Sequence, residues 1–208
     1  MKIPMYIPKS FAESDAETLY AFIRDHNFGT LVTQQAGELS ATPLPFLIDS
    51  ERGVLQGHMA RANPHWKTFA HTGQALVIFQ GPHAYISPTW YIDQPSVPTW
   101  NYSTVQIYGT PRLISDEAAI HDMLAALVSH HEQGRDPEWE MTLPADYLRT
   151  MLQAIVAFEI TIERIDGKFK LSQNRADADQ QNVIEHLAHS VSATEQDTAR
   201  LMAARRGN

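Results

Sequence analysis

The chain has 208 residues, of which 43% are hydrophobic and 19% are charged, a composition typical of one globular domain or of one domain plus an appendage. The net charge of -8 disfavours strong sequence-independent binding to DNA or anionic lipid, because such binding depends on Lys and Arg that neutralise phosphates. The absence of cysteine excludes disulfides, thiolate metal sites and cysteine nucleophiles, and it agrees with a reducing cytoplasm.

The first predicted elements are one helix and three strands. The N-terminal segment MKIPMYIPKSF has two prolines and no continuous apolar stretch, so we expect neither a secretory signal nor a membrane anchor, and a cytoplasmic location. The segment SDAE predicts a helix capped by Ser14, with Glu17 reaching back, that ends near Asn27. Runs rich in Thr, Val, Leu and Ile then predict antiparallel strands at 29–34, 39–48 and 53–59.

The second half alternates strands with helices. Asn63 and Pro64 predict the start of a brief helix. The later elements are predicted as strands at 74–81, 84–88, 98–114 and 154–167, helices at 116–133 and 144–153, and two short helices after Ala178, the last capped by Ser192 or Thr194. Strands joined mostly by short turns favour a small antiparallel barrel with helices, a mainly β fold.

The segment GHMARANPHWK (57–67) combines a strand end, a helix start and several cations. Free backbone N–H groups at a helix start favour an anion, Arg61 can bind two phosphate oxygens, and Lys67 adds a point charge. The segment therefore indicates a phosphate site. A turn whose Arg and Lys face solvent is the alternative.

Aromatic residues are concentrated in the next two segments, GPHAYISPTWY and VPTWNY. Prolines flank these residues and stiffen the chain, so the aromatic rings can border a planar ligand. The relevant residues are His83, Tyr85, Trp90, Tyr91, Trp100 and Tyr102. A hydrophobic cluster or a dimer interface is an equally good interpretation, since aromatic residues are enriched in both.

These segments, together with ATPLPF and GKFKLSQNR, resemble the PaiB family of FMN-binding negative transcriptional regulators. The resemblance covers roughly residues 1–175 in the same order. It implies an FMN-binding split barrel with a Greek-key-like antiparallel sheet over 1–175, and a homodimer with flavin in the groove between subunits. The residues after Arg175 are less diagnostic of the family, and their own pattern predicts a helical tail over 176–208.

The resemblance also implies which residues bind FMN. The phosphate is expected at Arg61 and Lys67, with His58, Asn63 and Trp66 beside it. The flavin ring is expected over Thr42, Pro43 and Leu44. The partner subunit is expected to contribute aromatic and polar side chains, namely Tyr85, Trp90, Trp100, Tyr102, Gln173, Asn174 and Arg175. An exposed strand end after a hairpin turn at Asp166 and Gly167 is the alternative for the last segment.

Other histidines and basic residues suggest further functions. His83 lies beside the expected flavin site and is a weak candidate for a proton donor. His130 with His131 and His186 with His189 are interpreted as solvated helix faces, so no metal site is expected. The basic segment ARLMAARRGN can bind DNA or complement a helix C-terminus.

Three functions therefore stay open at this point. The first is an FMN-dependent regulator that acts on DNA or on a protein partner. The second is a flavin-dependent oxidoreductase, or a haem-binding or haem-degrading split barrel, that acts on an unknown small substrate. The third is a flavin store or dimeric scaffold without turnover.

Overall fold

The computed structural model describes residues 5–206, so the first four residues of the N-terminal segment and the last two of the basic C-terminal segment lie outside the described residues. Strands β1–β7 are Ala12–Glu13, Phe28–Gln35, Glu38–Asp49, Val54–Ala60, Ala75–Ile86, Thr99–Leu113 and Ile155–Lys170. Helices α1–α5 are Ala16–Asp25, Glu117–Glu132, Ala145–Gln153, Asp177–Ala188 and Ala193–Arg206. Three short 3-10 helices, η1–η3, are Lys9–Phe11, Pro64–Ala70 and Pro88–Trp90.

The strands form one antiparallel sheet in the order β1-β7-β4-β3-β2-β5-β6, and β6 also pairs with β7. This additional pairing closes β2–β7 into a barrel and leaves β1 as an extra strand beside β7. At the closure Gly109 of β6 approaches β7 so closely that an added Cβ would collide with the main-chain oxygen of Thr161. The predicted mainly β fold, a small antiparallel barrel with helices, is confirmed.

Two strands are longer than the sequence predicts. β5 runs without a break through Gly81 and Pro82, where two separate strands were expected. β7 continues through Asp166 and Gly167, so the alternative of a hairpin turn at these residues is wrong. Gly167 pairs with Glu13 of β1, and a Cβ at this position would collide with the side chain of Leu19. The glycine therefore permits close packing rather than a turn.

The predicted helices are present, but the cap predicted for α1 is wrong. Asp15, rather than Ser14, accepts the backbone N–H of Thr18 at 2.8 Å and so caps α1. Ser192, one of the two residues predicted to cap α5, stands directly before the helix, and its carbonyl oxygen accepts the N–H of Gln196 at 3.0 Å. The neighbouring Ser190 accepts the N–H of Ser192 at 3.1 Å and bonds to Glu195. A short polar side chain suits a cap equally well at neighbouring positions, and the backbone geometry decides which one is used.

The described chain divides into two compact units. Unit 1 contains residues 5–19, 80–105 and 166–206, and unit 2 contains residues 20–79 and 106–165. The boundary expected at residue 175 falls inside unit 1. Strands β5, β6 and β7 each begin in one unit and end in the other.

Each unit has a hydrophobic core. In unit 2, Phe46 lies edge-on to Phe79 and Phe158, with ring centroids 5.7 and 6.2 Å apart, and Phe69 of η2 lies 5.1 Å from Phe158. Such edge-to-face pairs add to the stabilisation from burial. Because Phe69 anchors η2 on the barrel, the position of η2 is set by the core. In unit 1, α4 and α5 pack together and bury Leu187.

Candidate functional site

A polar cavity of about 480 Å³ opens in unit 2 beside η2 and strands β2 and β3. Its size falls in the range of small-molecule sites in proteins. The lining residues are Gln35, Ser40, Ala41, Thr42, Asn63, Pro64, His65, Lys67 and Thr68. The lining contains hydroxyls, amides and one ammonium group, and no carboxylate. This set of groups suits a ligand that carries oxygen acceptors and negative charge.

The start of η2 is shaped by Asn63 and Pro64. The Asn63 side-chain oxygen accepts the backbone N–H of His65 at 3.0 Å, which confirms Asn63 as the predicted cap. Pro64 follows at the first helical position, where its lack of an N–H does no harm. One of the backbone N–H groups expected to face an anion is therefore already bonded within the protein.

His65 is the centre of a buried hydrogen-bond network next to the cavity. Its side chain is 3% exposed. Its Nε2 lies 2.8 Å from the Thr33 hydroxyl, and its Nδ1 lies 2.7 Å from the Thr42 hydroxyl. Thr33 in turn lies 2.7 Å from the Thr68 hydroxyl. Burial lowers the pKa of His65 below its ordinary value of 6.5, because the charged ring loses hydration.

Lys67 is the charged side chain of the cavity. It is exposed, and its ammonium lies 5.8 Å from the centre of the Trp66 ring. Trp66 is fixed in place because its indole N–H donates to the carbonyl oxygen of Arg61 at 3.1 Å. The ring therefore supports the lysine on one side, and the ammonium can face a ligand on the other.

Arg61 lies elsewhere. Its guanidinium donates to the carbonyl oxygens of Gln153 and Ile155, each at 2.7 Å, and its backbone N–H donates to Ala154. Arg61 lines a second cavity of about 310 Å³ between the end of β6 and the start of β7, and it is not among the residues lining the first cavity. The two cations expected to hold one phosphate therefore line different cavities, and their joint role in binding a phosphate stays a prediction.

Of the other unit 2 residues that were predicted to bind FMN, only some line the cavity. Thr42 lines the cavity, whereas Leu44 is buried in the core and Pro43 is exposed opposite Thr30 of β2. His58 lies on β4 opposite Ala157, and its buried Nδ1 has no hydrogen-bond partner within the described residues. Burial lowers the pKa of His58 as well.

The predicted aromatic residues form two groups in unit 1. The Trp100 ring lies 5.8 Å from Tyr85 and 6.2 Å from His83, and Trp100 and Tyr85 are 53% and 44% exposed. Trp90 instead stacks on His186 of α4, with ring centroids 5.0 Å apart. The first group offers a surface for a planar ligand or a second subunit, whereas Trp90 packs against the tail. Separately, Tyr102 lies 5.4 Å from the ammonium of Lys168.

The predicted polar residues after β7 mostly stabilise the chain locally. Gln173 accepts the N–H of Leu171 at 2.7 Å and donates to the Phe169 carbonyl at 2.5 Å. The Arg175 guanidinium lies 4.3 Å from the centre of the Tyr91 ring. Asn174 is exposed.

The basic C-terminal segment is paired within the protein. Arg200 bonds to Asp197, Arg205 bonds to Glu13, and Arg206 donates to Gln181 at 2.7 Å. Each of these three guanidinium groups therefore has at least one partner within the protein.

Sequence reasoning missed several residues around the cavity. These are His65, Thr33 and Thr68, and the lining residues Gln35 and Ser40. Thr33 carried a usable signal, because it alternates with Leu31 at a buried position of β2 and a buried hydroxyl requires a partner. His65 carried none, because its partners come from two strands more than 20 residues away.

Comparison with known proteins identifies the family. The family model described as "Putative FMN-binding domain" matches residues 5–164. The Bacillus subtilis (strain 168) protein named "Protease synthase and sporulation protein PAI 2" is 40% identical over 203 residues, which cover 95% of this chain and 96% of that protein. The chain belongs to the PaiB family. The resemblance predicted from the sequence is therefore confirmed.

Solved structures show the same fold at low sequence identity. The FAD and haem binding protein of Mycobacterium smegmatis superposes with a TM-score of 0.61 at 20% identity, over 81% of this chain and 78% of that one. The flavocytochrome Anf3 of Azotobacter vinelandii gives a TM-score of 0.61 at 18% identity, over 79% and 72%. Both agree with a split barrel for this family member. Within residues 5–206, no helix has the length and apolar character needed to cross a membrane.

Proposed function

We propose that the protein binds FMN as a homodimer and acts as a negative transcriptional regulator whose interactions depend on the bound flavin. The observation that carries the flavin site is the polar cavity beside η2, with Lys67, Ser40 and Thr42 among the residues that line it. Membership of a family described as FMN-binding supports the choice of ligand.

The residues of the cavity fit a phosphate ester. Lys67 supplies a positive charge, Gln35 and Ser40 can donate neutral hydrogen bonds, and no carboxylate of the cavity wall repels the anion. Arg61 is left out of the proposed arrangement, because it does not line the cavity and two of its five N–H donors are bonded to main-chain carbonyls. When bound, FMN supplies one- and two-electron redox chemistry, and the protein positions it and controls its environment.

The proposed homodimer is supported by the exposed aromatic side chains of unit 1. Trp100 and Tyr85 leave about half of their surfaces in solvent, and aromatic residues are enriched in subunit interfaces. A second copy that covers them removes this exposure.

The proposed regulatory role is supported by the 40% identical relative, whose name refers to protease synthesis and sporulation. The net charge of -8 and the internal pairing of Arg200, Arg205 and Arg206 favour action through a protein partner over direct binding to DNA.

Four measurements on the purified protein test this proposal. Fluorescence titration with FMN is expected to saturate at one flavin per chain, and light scattering is expected to give a mass of two chains. Absence of saturable binding would contradict the flavin site. A Soret band after haem titration, or bleaching of the bound flavin by NADH or NADPH, would instead support the haem protein or the oxidoreductase.

The mode of regulation needs a separate experiment. Binding to a promoter fragment is measured against random DNA, with and without the last ten residues of the chain. We expect no preference for the promoter by the protein alone. A salt-dependent preference that disappears with the truncation would establish direct DNA binding instead.

A further inference from the structure

The hydroxyl groups on one side of His65 can make all of their hydrogen bonds at once in only one arrangement of their protons. The Thr68 hydroxyl donates to the His65 carbonyl oxygen at 2.8 Å. A hydroxyl has one proton, so Thr68 must accept the bond that joins it to Thr33. Thr33 has then donated its own proton and must accept from the Nε2 of His65. The imidazole therefore carries a proton on Nε2.

The other ring nitrogen faces the cavity through Thr42. In a neutral ring with a proton on Nε2, Nδ1 is an acceptor, so the Thr42 hydroxyl donates to it. The Asn63 amide nitrogen lies 3.4 Å from the same hydroxyl oxygen and donates to it. The amide cannot be reversed, because its oxygen accepts the N–H of His65. Thr42 thus turns its proton away from the cavity and presents only a lone pair there.

Protonation of His65 reverses this arrangement. Both ring nitrogens then donate, so Thr42 must accept from Nδ1 and must direct its own proton elsewhere. Asn63 cannot receive that proton, because its amide nitrogen is itself a donor. The hydroxyl proton therefore turns into the cavity, where an anionic ligand oxygen can accept it. The bond from Nε2 to Thr33 is unchanged.

The groups that face the ring explain why it is neutral without a ligand. Thr33 of β2, Thr42 of β3, and Thr68 and Phe69 of η2 surround it, and none of these side chains titrates near neutral pH. The nearest charge in the cavity wall is Lys67, which opposes a second positive charge. Burial also lowers the pKa of the ring. A bound dianion offsets both positive charges and so favours the protonated ring.

We propose that a phosphate monoester binds in this cavity together with one proton, which His65 takes up while the Thr42 hydroxyl turns to donate to the phosphate. This inference rests on the proposed FMN site. The coupling between ligand binding and protonation of His65 gives that site its preference for a dianionic ligand. The balance is simple: a proton from solvent bonds to Nδ1, the Thr42 proton stays on its own oxygen and rotates, and no other covalent bond changes.

Calorimetric titration at pH 7 in buffers of different ionisation enthalpy counts the protons taken up. The wild-type protein is expected to take up about one proton for each FMN bound, since the pKa of His65 moves from below to above the working pH. Riboflavin, which lacks the phosphate, is expected to bind without proton uptake. Thr42→Val is expected to bind FMN more weakly and without uptake. Thr161→Val, at an exposed position on β7, is the matched control and keeps the wild-type uptake.

A second readout does not depend on FMN. NMR of the His65 ring, followed through a pH titration with and without inorganic phosphate, is expected to show a higher pKa when phosphate is present. Equal proton uptake by the wild type and Thr42→Val, or an unchanged pKa with saturating phosphate, would overturn the inference while FMN binding itself still supported the proposed function. A raised pKa with phosphate but no binding of FMN would sustain the coupling and reject FMN as the ligand.

Discussion

Replacing Lys67 with methionine removes the charge of the cavity wall while keeping most of the side-chain length. A hydrogen bond between charged groups contributes about 1.5–3 kcal/mol. Lys67 is exposed, so solvent screening reduces its expected contribution to about 1–2 kcal/mol. FMN should therefore bind about 5- to 30-fold more weakly to Lys67→Met. The affinity for riboflavin should stay the same, because riboflavin has no phosphate for the ammonium to contact.

Fluorescence titration with both flavins measures these changes, and Arg61→Met is the matched control. Arg61 donates to the carbonyls of Gln153 and Ile155 and does not line the cavity, so its loss should leave the ratio of FMN to riboflavin affinity unchanged. Raising the salt concentration from about 0.1 to 1 M shortens the screening length. The difference in FMN affinity between the wild type and Lys67→Met should therefore become smaller. A larger loss of FMN affinity in Arg61→Met than in Lys67→Met would refute the reasoning.

Three further predictions concern stability. Thr33→Val keeps the shape of the side chain but leaves the buried Nε2 of His65 without an acceptor. The free energy of unfolding, measured with urea, should therefore fall by about 1–3 kcal/mol. An unchanged urea midpoint would contradict the proposed hydrogen-bond network. Burial lowers the pKa of His58 and His65 below 6.5, so as the pH falls the unfolded chain binds protons before the folded protein does. The flavin-free protein should therefore lose stability between about pH 7 and about pH 5. Equal urea midpoints at these two pH values would count against this prediction. Gly109→Ala should prevent folding or lower the free energy of unfolding by more than about 3 kcal/mol, because the added Cβ collides with β7. Gly73→Ala is the control: the added Cβ meets open space, so the midpoint of thermal denaturation should hardly change.

The elements that the sequence predicts best are those whose pattern is local. Alternation of apolar residues predicted β2 and β4 to within about one residue, and Asn63 with Pro64 predicted the start of η2. Where the observed strand differs from the predicted one, the cause is not visible in the local sequence. β7 continues through Gly167 because a two-residue strand more than 150 positions away pairs with it. β5 passes through Pro82 because proline is compatible with a strand where no N–H is needed at that position.

In the candidate site, too, contacts between distant parts of the chain could not be predicted from the local sequence. Lys67 and Arg61 are six residues apart, and this proximity in sequence suggested that both bind one phosphate. The chain turns between them, and the carbonyls that bind Arg61 belong to Gln153 and Ile155, which nothing in the local sequence indicates. The network around His65 is also hard to predict, because nothing in the local sequence shows that His65 of η2 bonds to Thr33 of β2 and Thr42 of β3. Residue types in a segment can therefore indicate an anion site without showing which cation serves it.

A structure of the protein with FMN tests the central claim most directly. The account predicts the flavin phosphate in the cavity beside η2, within hydrogen-bond distance of the Lys67 ammonium and the Thr42 hydroxyl, with the Arg61 guanidinium still on the carbonyls of Gln153 and Ile155. A phosphate bound by Arg61 in its own cavity, with Lys67 in solvent, would contradict it.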